Sequence, residues 1–553
     1  MTDRHFHKLM ILVLSAAVFI SGCGSPKKVE ADLQMAKPDP KIFETTLGNL
    51  ATIYQTGAFN VEAYGLVVNL QGTGSSECEP FVRAKLVKHI QKQLKTKTSK
   101  DADNLINSMD TAVVYIRGVI PALAMKGETF DLQVFPLTGT QTTSLEGGRL
   151  YTVDLTQNAN VNYATTIAYA NGPIFVNKVA GGTGTKSGYY ILGGGKVIDD
   201  APLSLWLKEP NYFTSNAIRN RINERFGPNT ANAVSSEEIN ISFPKKYKRD
   251  KFKFLAMVDQ LYLGTDSMLT QHRVNQLAKN LEKESNKLPA EFALEAIGNT
   301  CVKTIKPLLD SEDKAVRFHT ARCLMNLADE SGLKVIKDIA YTNASEYRIS
   351  AIEALGSLDS NNEAVKTLND LLSDPDRQVV LTAYKHLRDK KAFAITQKLI
   401  AGDFIVENVI SNGAKTVYAS RESVPKIVLF GYPINCNPDI FVKSDDGSVV
   451  ITAEAGKDLV SLMKKHPTRP TLIGPLPSTY LVDSVIRTLG EISENNEEMH
   501  IRAGLDVPYS EILSLLEKMC QTHMIDAEFV AGPMTSVTPL KKAATKQSEK
   551  KKD

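Results

Sequence analysis

The chain has few of the features on which catalysis and nucleic-acid binding are most often built. Its 553 residues include one Trp, six Cys and nine His, and aromatic residues make up 7%. Because 65 basic residues nearly balance 62 acidic ones, the net charge of +3 gives no reason to expect a nucleic-acid partner. The motifs HxxxH, CxxC, HExxH and GxSxG do not occur. We therefore predict no enzyme activity, no metal and no cofactor; an enzyme built on an unfamiliar site is the alternative.

The N-terminal apolar run is too short to span a membrane. Leu9 to Ile20 holds twelve apolar or small residues, whereas a spanning helix needs about 20. With basic residues before it, this run predicts a secretory signal. Ile20-Ser21-Gly22-Cys23 resembles a bacterial lipobox, which implies cleavage before Cys23 and diacylation of its thiol; an ordinary signal with an incidental cysteine is the alternative. Gly24 at the next position resembles lipoproteins that go on to the outer membrane.

The charged, proline-bearing segment from Lys27 to Pro40 is predicted to be an unfolded tether. A strand, a turn and a helix follow it. Tyr64 to Leu70 is rich in β-favouring residues, and Gly72-Thr73-Gly74 can adopt positive φ where the strand must end. Pro80 then opens a helix with an apolar residue every fourth position, at Val82, Leu86, Ile90 and Leu94. The words YGLVVxLxGTG and PFxRxxLxxxL resemble the opening of the bacterial flagellar basal-body P-ring protein family.

The pattern up to Tyr262 mixes strands and helices. Strands are predicted over the apolar or alternating stretches Thr111–Ile120, Glu128–Pro136, Arg149–Leu155 and Ile239–Phe243. Thr214 is predicted to cap a helix that Gly227 ends, and Asp250 to cap the next. GxxxxLxGGxLxxTxL from Gly139, followed by GGGKVIDDAPLSLWLKEPNYFTSNAIRNRINERFG, again resembles the P-ring family.

Two glycine-rich stretches invite comparison with phosphate-binding loops. Gly181 to Ser187 contains a Lys-Ser pair, but Thr185 stands where a P-loop has glycine, and no helix pattern follows. Gly193 to Lys196 lacks the hydroxyl residue. Mobile β-loops are the prediction, with nucleotide binding as the alternative.

From Leu269 to about Leu399 the sequence becomes helical and repetitive. Leu324, Leu355 and Leu387 align at a spacing of about 31 residues, each behind a loop rich in Asp or Asn. Paired helices of this period resemble HEAT repeats, which stack because one pair cannot bury its own apolar face. The array is not typical of P-ring proteins, so it is predicted to be an insertion that presents a binding surface or, alternatively, a spacer.

The cysteines suggest neither a metal site nor a disulfide framework. His319 and Cys323 lie four apart on one helix and could share a metal, but Cys323 is better explained as a small core residue. After acylation of Cys23 five thiols remain, so at least one is unpaired. Cys436 and Cys520 form the pair to test first.

The region from Ala414 to Pro533 is again mixed. Strands are predicted at Lys426–Gly431 and Gly447–Ala453, and Pro508 is predicted to start a helix with Ile512, Leu515 and Met519 on one stripe. Gly504 to Phe529 resembles the closing helix and strand of the P-ring protein. The tail from Lys541 is lysine-rich and is predicted to be disordered.

We interpret the chain as a multi-domain α+β protein, with mixed α/β ring-forming domains interrupted by a HEAT-like solenoid. The predicted segments are a lipoprotein signal (1–22), an acylated tether (23–44), a P-ring-like part (45–265), HEAT-like repeats (266–405), a C-terminal P-ring-like part (406–534) and a tail (535–553). The resemblance implies a structural subunit of the flagellar P ring, a homo-oligomer around the rod in the periplasm. Implied partners are further copies, rod and L-ring proteins, peptidoglycan and the outer membrane. The alternative is an outer-membrane lipoprotein that uses its repeats to bind proteins, unrelated to motility.

Overall fold

The computed structural model resolves the chain into strands at both ends and helices between them. It describes residues 40–94, 99–160, 164–179, 188–359, 361–454, 456–466, 469, 471–492 and 504–538. The strands are β1 Ala51–Gln55, β2 Phe59–Val68, β3 Ala112–Ile120, β4 Thr129–Pro136, β5 Arg149–Leu155, β6 Ala168–Pro173, β7 Phe175–Val176, β8 Tyr189–Val197, β9 Leu203–Leu207, β10 Ala231–Ala233, β11 Glu238–Ile241, β12 Ile395–Ile400, β13 Phe404–Val409, β14 Thr416–Arg421, β15 Lys426–Phe430, β16 Ile440–Lys443, β17 Val449–Ala453, β18 Val460–Lys465, β19 Leu472–Ser478 and β20 Glu528–Met534.

The helices are α1 Leu47–Leu50, α2 Pro80–Leu94, α3 Ser99–Ile106, α4 Tyr212–Phe226, α5 Lys251–Asp259, α6 Ser267–Lys283, α7 Leu288–Ile297, α8 Val302–Ile305, α9 Lys314–Asn326, α10 Leu333–Tyr341, α11 Arg348–Ser357, α12 Asn362–Asp370, α13 Arg377–Asp389, α14 Val482–Gly490 and α15 Tyr509–Gln521. Short 3-10 helices occupy Pro40–Glu44, Lys245–Tyr247, Asn299–Cys301, Lys306–Asp310, Glu330–Gly332 and Leu371–Ser373. The α+β class predicted from the sequence is confirmed.

The first module is a four-stranded antiparallel sheet, in the order β1-β9-β11-β10, covered on one face by α1, α4 and α5. Its core contains Leu205, Ile218 and Phe254, which are fully or almost fully buried. Helix α4 begins earlier than predicted, since the side chain of Asn211 accepts the backbone N–H of Thr214. The prediction that Thr214 caps the helix is therefore wrong, because Asn211, three residues earlier, is the capping residue.

The second module is a seven-stranded sheet that closes on itself. Its order is β4-β3-β2-β5-β6-β8-β7, and β4 also pairs with β8. Alternate residues of the strands, among them Val61, Val114 and Leu132, fill the interior, since neighbouring side chains of a strand point to opposite faces. Leu66 and Val113 point outward and are covered by α2 and α3. The strands predicted at 111–120, 128–136 and 149–155 all lie in this sheet.

The helical array begins at α6 and ends with α13, and the leucines that defined its period are fully buried. Four inner helices, α7, α9, α11 and α13, contact one another in chain order. Helix α5 of the first module packs against α7, so the row of inner helices continues from that module. The boundary predicted at 405 lies within the following sheet, because β12 begins at Ile395.

The C-terminal module combines a mixed five-stranded sheet, in the order β12-β13-β15-β14-β20, with an antiparallel sheet, β16-β17-β18-β19. Helices α14 and α15 share its core, and Ile512, Leu515 and Met519 of α15 are buried as predicted. Phe175 and Leu192 of the closed sheet belong to the same core. The helical array is therefore inserted between two parts of the chain that pack directly on each other.

Candidate functional site

The contact between the closed sheet and the C-terminal module is polar at its rim. The carboxylate of Asp131 accepts the backbone N–H groups of Gly193, at 2.6 Å, and Ser423, at 2.9 Å. Arg149 pairs with Asp403 at 2.5 Å. The bond of Asp131 to Ser423 and the pair of Arg149 with Asp403 join the two modules, whereas the bond of Asp131 to Gly193 lies within the closed sheet. Asp131 and Arg149 therefore help to fix how the two modules fit together.

Lys178 is held by two carboxylates at the same contact. Its Nζ lies 2.6 Å from Glu511, a side chain at the start of α15, and also pairs with Glu146. Burial acts to lower the pKa of Lys178, but the two hydrogen-bonded carboxylates outweigh it and raise the pKa. Ser510 accepts the N–H of Val176 at 3.0 Å. A charged lysine is therefore part of the interface.

A cavity of about 790 Å³ opens beside this contact. Arg149, Phe175 and Gly148 contribute from the closed sheet, and Asp403 and Tyr509 from the C-terminal module. Since its walls come from both modules, we interpret the cavity as a gap between their packed surfaces.

The first junction of the helical array contains buried carboxylates that sequence reasoning missed. Glu295 is 2% exposed and pairs with Lys253 of α5 at 2.9 Å, while Asn326 of α9 donates to it at 2.7 Å. Burial raises the pKa of Glu295 to about 7 against the opposing effect of Lys253. Two glutamates four apart in the otherwise apolar run EFALEAI were the available signal.

Glu291, one turn earlier on α7, is fully buried beside α9. Arg322 donates to both of its oxygens, at 2.6 and 2.7 Å, and Nδ1 of His319 lies 2.6 Å away. Burial favours a raised pKa for Glu291, but the bonds from Arg322 and His319 prevail and lower it. The ionised carboxylate ties two inner helices together.

The second junction, between α13 and the C-terminal module, is also built around a buried carboxylate. Glu407 of β13 is fully buried, accepts the Nε–H of Arg388 at 2.6 Å and accepts the hydroxyl of Tyr384. Arg388 and Tyr384 belong to α13, the last helix of the array. Both ends of the solenoid are thus fixed by buried ionic contacts to neighbouring modules.

The strand, turn and helix predicted near the N terminus are present. Gly72 has φ +87, whereas Gly74 is needed for a different reason: a Cβ there would lie 2.1 Å from the backbone oxygen of Thr111. The predicted need of Gly74 for positive φ is therefore wrong, and close approach of two chain segments replaces it. Leu94, the last residue of the predicted apolar stripe, is 45% exposed.

Several predicted features lie outside the described residues. These are the signal, Cys23 with its lipobox, the glycine-rich loop at 181–187 and the lysine-rich tail. Gly193 to Lys196 falls within β8, between β6 and β4, with no helix after it. That geometry lacks the helix N-terminus on which a phosphate-binding loop depends.

The candidate metal ligands do not converge. His319 is bonded to Glu291, and Cys323 packs beside Cys301, whose thiol, together with burial, raises the pKa of Cys323. Within the described ranges no group of three or more His, Cys, Asp or Glu could hold a metal ion. Cys436 and Cys520 are separate buried thiols, each with its pKa raised to about 12, mainly by burial.

The fold and these contacts define a modular α+β protein. A helical solenoid is inserted in the chain between the closed sheet and the C-terminal module, which pack on each other. Residues 47–275 match the family model of the flagellar P-ring protein, and residues 274–356 match HEAT repeats. The resemblance to P-ring proteins is thereby confirmed for the first segment, and the repeat prediction for the second. The two matches meet within α6, the first helix of the array.

Curated proteins similar to this chain are also flagellar P-ring proteins. Flagellar P-ring proteins of Helicobacter pylori (strain G27), Aquifex aeolicus and Anaeromyxobacter dehalogenans are 25%, 28% and 29% identical over 40%, 41% and 37% of this chain. The chain spans about three fifths of the length of these relatives, namely 62%, 63% and 56%. The solved structure of human deoxyhypusine hydroxylase is 21% identical over 21% of this chain and 43% of its own, with a TM-score of 0.18. At that score the two structures are not similar overall. In the described part, no helix is long and apolar enough to cross a membrane.

Proposed function

We propose that this chain is a structural subunit of the flagellar basal-body P ring, which assembles around the rod in the periplasm as a bushing. The observation that carries the proposal is the match of residues 47–275 to flagellar P-ring proteins. Such a subunit performs no covalent chemistry and acts through contacts that close a ring. Its partners are further copies of itself, rod and L-ring proteins, and peptidoglycan, with no nucleic acid.

The C-terminal module is part of the same proposal. Residues 406–534 lie outside the P-ring match, but their core includes Phe175 and Leu192 of the matched segment. The rim contacts of Asp131, Lys178 and Arg149 add charge-assisted bonds across the contact. We therefore include this module in one ring-forming body, with the solenoid as an insertion.

Anchoring through Cys23 to the outer membrane is a further part of the proposal. It is supported by the sequence ISGC and by Gly24 after it. Two or three acyl chains hold a protein to a bilayer stably, whereas one chain does so marginally. Cys23→Ser is expected to abolish labelling by radioactive palmitate and to move the protein from the membrane to the soluble envelope fraction. A variant that stays membrane-bound in high salt contradicts the anchor.

The ring itself is tested with the acylated full-length chain. In detergent extracts it should sediment as a large closed oligomer, and it should copurify with hook-basal bodies. Deletion of the gene should abolish motility while the rod is still made. A chain that stays monomeric at every concentration, with rod proteins present, contradicts the proposal.

The rival function is an outer-membrane lipoprotein whose repeats bind other proteins, unrelated to motility. It is favoured by the HEAT-repeat match at 274–356, which extends beyond the P-ring match, and by the limited length shared with the relatives. It predicts normal motility after deletion, a subunit-sized protein in detergent and no trace in hook-basal bodies.

A further inference from the structure

The two edges of the solenoid carry opposite charges. The inner helices α7, α9, α11 and α13 contact one another in chain order, and their ends meet at common edges. Lys287 before α7 pairs with Asp313 before α9 at 3.5 Å, and Arg348 of α11 pairs with Asp374 before α13 at 2.5 Å. We call the side where these helices begin the N-terminal edge, and the side where they end the C-terminal edge.

The C-terminal edge is lined by basic side chains from the first module. Arg225 donates to the carbonyl of Ala296 at 2.8 Å, and Lys246 donates to that of Asn326 at 3.2 Å. Arg249 pairs with Asp389 at the end of α13 at 3.2 Å. Positive charge at helix C-termini offsets the negative end of the helix dipole. These contacts show that residues 225 and 246–249 run along the ends of successive inner helices.

More positive charge is present there than the helix ends require. Eight basic residues share the edge with five acidic ones: Arg225, Lys245, Lys246, Lys248, Arg249, Lys385, Lys390 and Lys391, against Asp250, Asp329, Glu330, Asp359 and Asp389. Lys245, Lys248, Lys385 and Lys391 are exposed, and in the described part of the chain no ion pair engages them. The edge therefore offers a surplus of solvated positive charge.

The N-terminal edge has a surplus of exposed negative charge. Four of its six basic residues are already engaged, since Lys287, Arg348 and Arg377 form ion pairs and Arg317 donates to backbone carbonyls. Against the exposed Lys283 and Lys314, five exposed acidic residues have no ion pair within the described ranges: Glu284, Asp310, Glu312, Glu346 and Asp376. Asp376 also caps α13, but the other four serve no helix end by a side-chain bond given for the described residues.

We propose that the acidic N-terminal edge of one copy packs against the basic C-terminal edge of the next copy. The two surfaces lie at opposite ends of the same helices, about 20 Å apart for 13 residues, so one copy cannot satisfy both by itself. A two-fold contact of either edge with itself would bring like charges together, which costs several kcal/mol. A head-to-tail contact remains, and repetition of such a contact generates a ring if the rotation closes.

This inference rests on the proposed ring and adds where neighbouring subunits touch. It assigns to the insertion a role in assembly, with a second copy of this chain as the occupant of each edge. Because the charges are exposed, the contact should weaken as salt shortens the range of the attraction.

The test changes, on each edge, residues whose side chains form no hydrogen bond or ion pair given for the described part of the chain. Lys245→Glu with Lys248→Glu places two acidic side chains in the basic edge, and Glu312→Lys with Glu346→Lys places two basic side chains in the acidic edge. Each acylated full-length double variant should need at least about tenfold more protein for half-assembly than the wild type, because like charges then face each other. Lys92→Glu with Lys100→Glu, exposed residues of α2 and α3, is the matched control and should assemble like the wild type.

Complementation makes the test specific. An equimolar mixture of the two double variants, or one chain with all four changes, restores opposite charges at every contact and should assemble again. Circular dichroism checks that each variant is folded. Normal assembly of either double variant, or loss that neither mixture nor quadruple variant restores, overturns the edge contact while the ring stands. Wild type that never assembles in any salt overturns the ring itself. A lysine variant that assembles normally but loses binding to phosphatidylglycerol vesicles assigns the basic edge to a membrane and also overturns the contact.

Discussion

Removing Glu407 should loosen the solenoid from the C-terminal module. Its carboxylate is fully buried and binds both Arg388 and the hydroxyl of Tyr384 on α13. In Glu407→Ala the guanidinium and the hydroxyl lose their acceptor. Breaking a buried pair by removing one partner costs about 3 to 5 kcal/mol. Because the Arg388 side chain is 27% exposed and can recruit water, we expect a loss near the lower end, about 3 kcal/mol.

A second ion pair joins α13 to another strand of the same sheet and provides the control. Arg377 at the start of α13 pairs with Glu528 of β20 at 2.7 Å, but the two side chains are 52% and 59% exposed. Exposed pairs contribute about 0 to 1 kcal/mol. Glu528→Ala should therefore be nearly neutral, although it also removes one carboxylate that binds an arginine of α13.

The assay is urea unfolding followed by the helical signal at 222 nm. With a slope of about 2 to 3 kcal/mol per M, a loss of 3 kcal/mol lowers the midpoint of the transition that includes α13 by about 1 M. Glu528→Ala should shift it by less than about 0.5 M. Equal shifts for the two variants would show that burial does not determine the strength of this junction.

The remaining predictions concern the other junction, the turn and the repeats. Since burial raises the folded pKa of Glu295 to about 7 from 4.5, wild-type stability should fall relative to Glu295→Gln by up to about 3 kcal/mol as pH rises from 4.5 to above 7; a pH-independent difference in thermal midpoint contradicts this. Gly74→Ala should cost about 1 to 3 kcal/mol because its Cβ meets the oxygen of Thr111, while Gly57→Ala, with nothing within 4 Å, should be nearly silent in urea unfolding. Leu355→Ala should cost about 2 to 5 kcal/mol in the same assay, since the side chain is fully buried; a loss below 1 kcal/mol would remove it from the repeat core.

Local patterns predicted the elements well, because period and end signals are properties of neighbouring residues. The leucine spacing predicted three inner helices, and Asp250 and Gly227 mark helix ends as expected. Contacts between distant segments left no such signal. The pairing of β4 with β8, which closes the second sheet, joins residues about 60 apart, and the role of Gly74 depends on where Thr111 passes.

The buried carboxylates show where sequence reasoning stops. Glu291 and Glu295 stand in an apolar run, which indicates burial, but their partners come from two other helices, α5 and α9. Glu407 has no comparable signal, since in its strand, FIVENV, it stands beside a second polar residue, Asn408. A buried charge can be suspected from one segment, whereas its pairing depends on the assembled fold.

The fixed ends of the solenoid bear on whether an inserted array can take part in a ring. A closed ring requires every subunit contact to repeat with the same rotation, so a surface used in assembly must keep a constant orientation to the body. Lys253 with Glu295 holds the first end, and Arg388 with Glu407 holds the last, both through charges with little or no exposure at the carboxylate. Separating Arg388 from Glu407 leaves an uncompensated buried charge, so the last end of the array cannot swing at low cost. An insertion tethered by exposed loops would lack this constraint, and the same edge charges on it would favour irregular association over closure.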